Sequence, residues 1–199
     1  GTRLVKTCVY RSSSEAGAPN VVRLTEDLGK AIGQHGHTLV FGGNNTGLVG
    51  RLADAVKDNG GQVIGVVPRK LDELGRSYER CDELVISKDL RDRKAIMDER
   101  SDAFVALPGG LGTLEEIIEV LNLKYLRYHQ KPVVFINHEG FYEPLFKAFS
   151  HFYDQRFTKR AVQKLYAALP DIPSLFPYLD AYEPVQVEEK WYDRSTDAI

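Results

Sequence analysis

The chain has 199 residues, of which 43% are hydrophobic, and its 26 basic and 28 acidic side chains leave a formal net charge of −2. This length favours one domain, and the composition is typical of a folded protein rather than a disordered one. The balanced charge argues against a dedicated nucleic-acid or membrane-surface binder, and no apolar run approaches the ~18 residues that a membrane-spanning helix needs.

Two cysteines, Cys8 and Cys81, are too few for a disulfide framework and suit a reducing compartment. Both lie in apolar, strand-like segments, which predicts inert buried thiols. The first residues lack the hydrophobic core of a signal peptide. A cytoplasmic location is therefore expected.

Short β-branched segments alternate with amphipathic ones along the chain. Strands are predicted at Lys6–Tyr10, Thr38–Phe41, Val63–Val67, Glu83–Ile86, Ala103–Leu107 and Val133–Asn137. Helices are predicted at Val21–His35, Leu48–Asn59, Leu90–Ser101, Leu114–Tyr128 and Phe141–Phe157. Because the strands are almost continuously apolar, they predict a mainly parallel sheet flanked by helices on both faces, which is a single doubly wound α/β domain.

The domain is expected to span residues 1–184, followed by a polar C-terminal tail over 185–199. Val162–Leu169 is compatible with a last strand or with a helix. Periodicity is clearest in the helix predicted from Leu114, whose buried stripe is expected at these positions: Leu114, Ile117, Ile118, Leu121 and Tyr125.

Three predicted strands end in small, flexible residues. The first is followed by Arg11-Ser12-Ser13-Ser14, the second by the glycine-rich stretch 42–50 and the fifth by Pro108-Gly109-Gly110-Leu111-Gly112-Thr113. Glycine allows backbone N–H groups to approach an anion, and a following helix adds its positive end, so each loop is a candidate phosphate site. The alternative is that the glycines only make tight strand-to-helix turns.

A mononucleotide monophosphate fits these loops better than other phosphate ligands. The P-loop motif G-x-x-x-x-G-K-[ST] is absent from the sequence. Glu115 stands where a dinucleotide fingerprint has a small residue, and its charge would oppose a pyrophosphate.

Charged residues near the third loop have two interpretations each. Thr113 and Glu116 have the spacing of a capping box, worth about 1 kcal/mol to a helix. Alternatively, Glu116 lies one helical turn beyond the Gly-Gly pair and faces the crevice of a sugar phosphate. Arg93 lies in a helix start of mixed charge, a pattern usual for a solvated face.

The run PGGLGTLEE (108–116), with Arg93-Lys94 upstream, resembles the signature of the LONELY GUY (LOG) phosphoribohydrolases, formerly called lysine decarboxylases. The resemblance extends from Thr7 to about Tyr182. It implies a Rossmann-like domain, commonly a homodimer, that hydrolyses the N-glycosidic bond of N6-modified adenosine (cytokinin riboside) 5′-monophosphates to the free base and ribose 5-phosphate. No metal or organic cofactor is implied.

The resemblance also assigns roles to residues. Glu116 would stabilise the ribosyl cation or orient water, and Arg93 would assist as the second catalytic residue. The substrate-binding residues it implies are Ser13, Gly43, Glu73, Lys94, Gly109, Gly110, Leu111, Gly112, Thr113 and Glu115. Two alternatives stay open: a broader AMP or nucleotide nucleosidase, and a non-catalytic carrier of a nucleotide or of molybdenum cofactor.

The chain departs from the family pattern at several positions. Arg11 and Ser12 replace a Cys-Gly pair, so Arg11 is a candidate to face the nucleotide. Asn44 replaces a glycine of the second loop, and Leu123 and Tyr125 replace a tryptophan and a glutamine. Base preference therefore does not follow from the resemblance.

Two further patterns are expected to be structural. His35 and His37 have no cysteine or histidine cluster nearby, so a metal site is not expected. An aromatic stripe is expected to serve the core or a subunit contact: Phe141, Tyr142, Phe146, Phe149, Phe152 and Tyr153.

Overall fold

The computed structural model describes residues 3–12, 19–45, 47–185 and 187. Within them, seven strands form one sheet whose neighbouring strands all pair in parallel, in the order β4-β3-β2-β1-β5-β6-β7. The strands are β1 (Lys6–Tyr10), β2 (Thr38–Phe41), β3 (Gln62–Pro68), β4 (Glu83–Ser87), β5 (Ala103–Ala106), β6 (Val133–Ile136) and β7 (Ala167–Leu169).

Seven α-helices connect or follow these strands in the described part of the chain. They are α1 (Pro19–Gln34), α2 (Gly47–Asp58), α3 (Arg69–Glu73), α4 (Leu90–Arg100), α5 (Leu111–Tyr125), α6 (Glu143–Asp154) and α7 (Leu175–Asp180). The predicted mainly parallel, doubly wound α/β fold is thereby confirmed. No helix within the described residues is both long enough and apolar enough to cross a membrane.

Helices cover both faces of the sheet, and each face has its own apolar core. On one face α1, α2 and α7 bury side chains such as Leu28, Leu52 and Leu175. On the other, α4, α5 and α6 bury Met97, Ile117 and others. Strands packed on both faces are apolar at nearly every position, which is why continuous runs rather than alternation marked them in the sequence.

Helix boundaries differ from the predicted ones where local geometry intervenes. Helix α5 begins at Leu111, three residues early, because Gly110 is its N-cap. It ends at Tyr125, since Arg127 adopts a left-handed φ of 66°. Helix α6 is shorter than predicted at both ends: Pro144 occupies its first turn, and Arg156 has a φ of 62° beyond its end.

The stripe predicted on α5 is only partly the buried face. Ile117, Leu121 and Tyr125 are buried, whereas Leu114 and Ile118 pack against the core from its margin. Val120 and Lys124 complete the buried face instead. Of the half-exposed apolar positions, Ile118 lies beside α6 and Leu123 beside α4.

Both cysteines, together with His35 and His37, take part in the packing of the domain. Cys8 is fully buried, which raises the pKa of its thiol, and the half-buried Cys81 also has a raised thiol pKa, again mainly through burial. His37 accepts a hydrogen bond from the Val5 amide at Nδ1 (3.0 Å), and the rings of His35 and His37 stack on Phe176.

Strand order determines where the loops meet. The chain runs from β1 through β2 and β3 to β4 at one edge and then returns to β5, which pairs with the other side of β1. Helix α4 makes this return and contacts β3, β2 and β1 on its way. The carboxyl ends of β1 and β5 therefore flank a topological switch point, the usual ligand position of this fold class.

Candidate active site

Helices α4 and α5 both begin at the carboxyl edge of the sheet, because each follows a parallel strand. Their first two turns carry Arg93-Lys94 and Thr113-Leu114-Glu115-Glu116, respectively. Residues far apart in the sequence are thereby brought to one crevice by the long return of α4. Periodicity within either helix could not have shown this convergence.

Arg93 is fixed at the start of α4. The Asp89 carboxylate caps this helix by accepting the Asp92 amide at 2.9 Å, and the Arg93 amide donates to the Asp89 carbonyl. The guanidinium lies against Gly42, where an added Cβ would be 3.1 Å from Nη1. Its buried Nε has no hydrogen-bond partner among the described residues. Gly42 thus provides the space that the guanidinium occupies beyond β2.

Glu116 is half-buried on the second turn of α5. Burial raises the pKa of its carboxyl group, while the charges of Arg93, Lys94 and Arg11 act in the opposite direction. The net pKa is above the ordinary value for glutamate. A partly desolvated carboxylate near several cations is suited to act on a developing positive charge or on a water molecule.

Arg11 is the third cation near Glu116. Burial lowers the pKa of its guanidinium to about 10, with the charge of Glu116 opposing the shift. Nη1 donates to the Ser12 carbonyl at 2.9 Å, whereas the buried Nε has no partner in the described part of the chain. The sequence identified Arg11 by its departure from the family pattern, and the structure places it in the field of the carboxylate.

The glycine-rich loop before α5 combines one crowded and two open positions. An added Cβ on Gly109 would lie 2.2 Å from Thr113 Oγ1 and 3.2 Å from the Ser12 amide nitrogen. A Cβ on Gly110 or Gly112 would meet nothing within 4 Å. Gly109 therefore brings the loops after β1 and β5 together, and the other two leave the helix terminus accessible.

The capping-box interpretation of Thr113 and Glu116 is wrong. The N-cap is Gly110, without a side-chain capping hydrogen bond, and Thr113 lies inside the first turn. Its buried Oγ1 has no hydrogen-bond partner among the residues the structure describes. The first intrahelical bond runs from the Leu114 amide to the Gly110 carbonyl, so the amides of residues 111–113 have no intrahelical acceptor. Such amides at a helix start favour an anion.

Lys94 is engaged by two carboxylates of α5. Its Nζ forms an ion pair with Glu119 Oε2 at 2.7 Å and a second one with the Glu115 carboxylate. Lys94 and Glu115, both predicted to bind substrate, thus contact each other. Glu119 is a member of this group that the sequence did not single out, although its spacing from Glu115 is that of one helical turn.

The other predicted substrate-binding residues are distributed differently. Gly43 has a φ of +70°, and an added Cβ would lie 2.1 Å from Val67 Cγ2. A glycine is therefore needed here so that the loop after β2 can pack against β3. Glu73 is exposed at the end of α3, beyond β3 and two strands from β1. Leu111 is 86% exposed at the start of α5. Ser13 lies outside the described residues.

A carboxylate behind Glu116 has no signal in the sequence. Asp98 accepts a hydrogen bond from the Tyr10 hydroxyl at 3.3 Å. Together with Glu116 and Glu119 it lines a cavity of about 10 Å³. Burial, reinforced by the charge of Glu119, raises the pKa of Asp98 to about 6. The charge run on α4 did not indicate that one of its acids faces inward.

A cavity of about 850 Å³ lies at the opposite edge of the sheet, beside the residues that precede β1, β5 and β6. Its lining mixes basic and acidic side chains, such as Lys131 and Asp102. The predicted site residues that the structure describes are not among its lining. Volume alone therefore does not mark the site, and we assign it from the convergence of α4 and α5.

The fold is of the doubly wound α/β class, and its glycine-rich loop lies at the topological switch point where proteins of this class bind ligands. The family model described as "Possible lysine decarboxylase" matches residues 49–179. The Arabidopsis thaliana protein "Cytokinin riboside 5'-monophosphate phosphoribohydrolase LOG2" is 32% identical over all of this chain and 94% of its own length. "Cytokinin riboside 5'-monophosphate phosphoribohydrolase LOG" of Oryza sativa subsp. japonica is 34% identical over 97% of this chain and 80% of its own.

A similar solved structure is the molybdenum cofactor carrier protein of Chlamydomonas reinhardtii. Its TM-score is 0.65 at 23% identity, and the match covers 88% of this chain and 95% of that one. At this identity the likeness concerns the fold. The family match and the two relatives show that the chain belongs to the LOG family of phosphoribohydrolases, as its signature predicted.

Proposed function

We propose that the protein hydrolyses the N-glycosidic bond of nucleoside 5′-monophosphates whose base is an N6-modified adenine. Water adds to C1′, the bond from C1′ to the base nitrogen breaks, and the base leaves with a proton. The products are the free base and ribose 5-phosphate. The substrate class comes from the relatives, both of which are named for cytokinin riboside 5′-monophosphates.

The residues of the crevice suit this reaction. Breaking a glycosidic bond builds positive charge on the ribose, and the Glu116 carboxylate can stabilise that cation or orient the attacking water. Arg93 can steady the substrate or the departing base. The first-turn amides of α5, with the unpartnered Thr113 hydroxyl, offer donors for the 5′-phosphate. None of these steps requires a metal or an organic cofactor.

One observation carries the proposal: the side chains of Arg93 and Glu116 come from different helices into the same electrostatic environment, next to a helix start with free amides. A protein that only carries a nucleotide has no need for both members of this pair, and this chain has both. The further assignment of Ser13, Gly43, Glu73 and Leu111 to substrate binding belongs to this proposal and rests on the resemblance of the loops.

The test is base release from isopentenyladenosine 5′-monophosphate, AMP and isopentenyladenosine, measured by chromatography with the purified protein. Release from the modified monophosphate well above the other two is expected. Equal rates with the two monophosphates would replace the cytokinin assignment by a broader nucleosidase. Equal rates with the riboside would contradict phosphate recognition by the loop, and binding without any release would favour a carrier.

The functional unit in this proposal is a homodimer. Ile118, Leu121 and Phe149 line an apolar cavity of about 280 Å³ together with Phe152 and Phe157 between α5 and α6. Phe157 is 85% exposed and Phe152 is 44% exposed, which is unusual for aromatic side chains unless they meet a partner. We call these five residues the α5–α6 surface. A cytoplasmic location and the absence of a nucleic-acid partner are also parts of the proposal.

A further inference from the structure

The two helices that carry the proposed catalytic pair are joined by the immediate neighbours of that pair. Helix α4 contributes Arg93 and Lys94, and α5 contributes Glu115 and Glu116. Lys94 bridges to Glu115 and Glu119, with 2.7 Å between Nζ and Glu119 Oε2. The ion pair of Lys94 with Glu115 therefore lies one residue away from the catalytic pair on both helices.

The geometry of α5 allows Lys94 to pair with two carboxylates at once. Residues four apart lie on the same helix face, so the carboxylates of Glu115 and Glu119 stand one above the other. Lys94 reaches between them and uses two of its three N–H donors. Its side chain is only 24% exposed, so the ammonium is held between the helices rather than free in solvent.

Consecutive residues on a helix point in directions about 100° apart. Lys94 can therefore hold α5 from the side while Arg93 lies against Gly42. The charges around Lys94 also argue for a contact to α5 rather than to a phosphate. An ammonium that already pairs with two carboxylates attracts a phosphate less strongly than a free ammonium would. This differs from the role that the signature implied, in which Lys94 binds the nucleotide.

We infer that Lys94 is a positioning residue: through Glu115 and Glu119 it sets the separation of α4 from α5, and with it the placement of Arg93 relative to Glu116. The inference rests on the proposed hydrolysis, which it deepens. A misplacement of catalytic groups on the order of 1 Å costs an enzyme up to ~10²-fold in rate, so breaking an ion pair between these two helices can strongly lower the rate.

The experiment compares wild-type protein with Lys94→Met, Lys94→Arg, Glu119→Gln and the double variant Lys94→Met/Glu119→Gln in steady-state base release. We expect Lys94→Met to lower kcat by roughly 10- to 100-fold with KM within about threefold, since the loss falls on the transition state. Lys94→Arg should recover most of kcat. The double variant should be no slower than Lys94→Met, because both changes break one interaction.

Lys57→Met is the matched control. Lys57 also forms a lysine–carboxylate ion pair, to Asp82 at 2.8 Å, and its side chain is 23% exposed, but it joins α2 to the segment before β4. We expect this variant to keep the wild-type kcat. An equal loss of kcat in Lys57→Met would mean that removing any such ion pair loosens the domain, and would overturn the inference.

Two further results would also overturn it: a KM raised about tenfold or more with kcat unchanged in Lys94→Met, or independent effects of Lys94 and Glu119. If the wild-type protein releases no base, the proposed hydrolysis is rejected. AMP binding measured by calorimetry then still tests the role of Lys94. In that case an AMP affinity of Lys94→Met within about threefold of wild type, with non-additive urea midpoints for Lys94 and Glu119, supports positioning. A tenfold loss of affinity makes Lys94 a ligand.

Discussion

Single residues at the crevice have properties that follow from burial rather than from residue type. Glu116 and Asp98 are ordinary carboxylic acids in sequence, yet burial raises the pKa of both. They differ in their surroundings: cations from α4 and from the loop after β1 act on Glu116, while Asp98 has the Tyr10 hydroxyl and the charge of Glu119 beside it. Glu116 is therefore suited to catalysis, whereas the ionised Asp98 lowers the free energy of unfolding.

Replacing Glu116 by glutamine should abolish most turnover while preserving the fold. The amide is similar in shape but can neither stabilise a cation by charge nor accept a proton, so kcat should fall by ~10²–10⁴-fold. Base release gives kcat, calorimetry with AMP gives the affinity, and a thermal melt gives Tm. We expect the affinity to stay within about threefold and Tm to be unchanged or higher, because a desolvated charge is removed.

Glu99→Gln is the control for that change, since Glu99 is an exposed glutamate of α4. It should leave kcat unaltered. A large fall in Tm for Glu116→Gln with kcat close to wild type would assign Glu116 to the fold instead of the reaction.

Replacing Asp98 by asparagine should stabilise the protein in a pH-dependent way. The pKa of Asp98 in the folded state is about 6 against an ordinary value of 3.8, so protonation favours the folded form. Its ionised form therefore lowers the free energy of unfolding above about pH 6, and this penalty disappears as pH falls towards 4. The asparagine side chain keeps an acceptor for the Tyr10 hydroxyl and carries no charge.

Urea unfolding at about pH 7.5 and about pH 4 measures this effect. Asp98→Asn should gain about 1–2 kcal/mol over wild type at the higher pH, less than the ~3 kcal/mol that a shift of two pKa units represents, and almost nothing at the lower one. A gain that is equal at both pH values, or a loss at the higher pH, would contradict the assignment.

At the scale of elements, the start of α5 decides how an anion can be held. Gly109, Gly110 and Gly112 are equivalent in sequence, but their surroundings differ. Gly109 touches Thr113 and the loop after β1, whereas Gly112 lies in the first turn with open space around it. One glycine is needed for packing, and the other leaves room for a ligand.

The substitutions Gly109→Ala and Gly112→Ala should therefore act on different quantities. The first places a methyl group 2.2 Å from Thr113 Oγ1 and should lower the free energy of unfolding by about 1–3 kcal/mol. The second improves helix propensity and should raise stability by up to about 1 kcal/mol. If the open amides hold the phosphate, Gly112→Ala should still weaken AMP binding by roughly tenfold.

Chemical denaturation and calorimetry separate these outcomes. Unchanged AMP affinity in a stable Gly112→Ala protein would remove the helix start from the phosphate site. Full stability of Gly109→Ala would show that the loops after β1 and β5 are not closely packed.

At the scale of the whole molecule, the aromatic stripe of the sequence divides between two environments. Tyr142, Phe149 and Tyr153 are buried in the domain, while Phe141 and Phe152 are exposed. Phe152 lies on the α5–α6 surface together with Phe157, which follows the stripe in the sequence. A single sheet with helices on both faces needs only one side of α6 for its own core. The other side of α6 carries Phe152 among charged and polar side chains, and the described residues of the same chain leave Phe152 and Phe157 exposed.

The change Phe157→Ser should dissociate the proposed homodimer without unfolding the chain. Because Phe157 is 85% exposed, its loss removes little packing within one molecule. Light scattering over a dilution series should show the mass of one chain, 22.4 kDa, at protein concentrations where the wild type is dimeric. The rise in dissociation constant is expected to be about tenfold or more, as for a buried aromatic anchor.

Leu74→Ser provides the comparison, since Leu74 is 60% exposed at the end of α3, near the opposite edge of the sheet. It should leave the mass unchanged. A monomeric wild-type protein, or a dimer that tolerates Phe157→Ser, would remove the α5–α6 surface from the assembly.

The sequence by itself determined the order of six strands and five helices, and the family, whereas the short helices α3 and α7 were not predicted. Strand positions agree with the predicted ones within a residue or two, because strands buried on both faces are apolar throughout. The signature 108–116 lies within one loop and the first two turns of one helix. The predicted boundaries of the domain and tail stay a prediction. The segment of β7 is compatible with strand or helix in the sequence, since three residues carry no periodicity.

Only the tertiary structure decided which side chains face each other. That Lys94 pairs with Glu119, that Thr113 is not a cap, and that Gly43 and Gly109 are packing positions all depend on contacts that the sequence pattern does not record. Local patterns report on the face of one helix or strand. The return of α4 across the sheet is what brings Arg93 to Glu116, and a crossover of that kind leaves no trace in the periodicity of either helix.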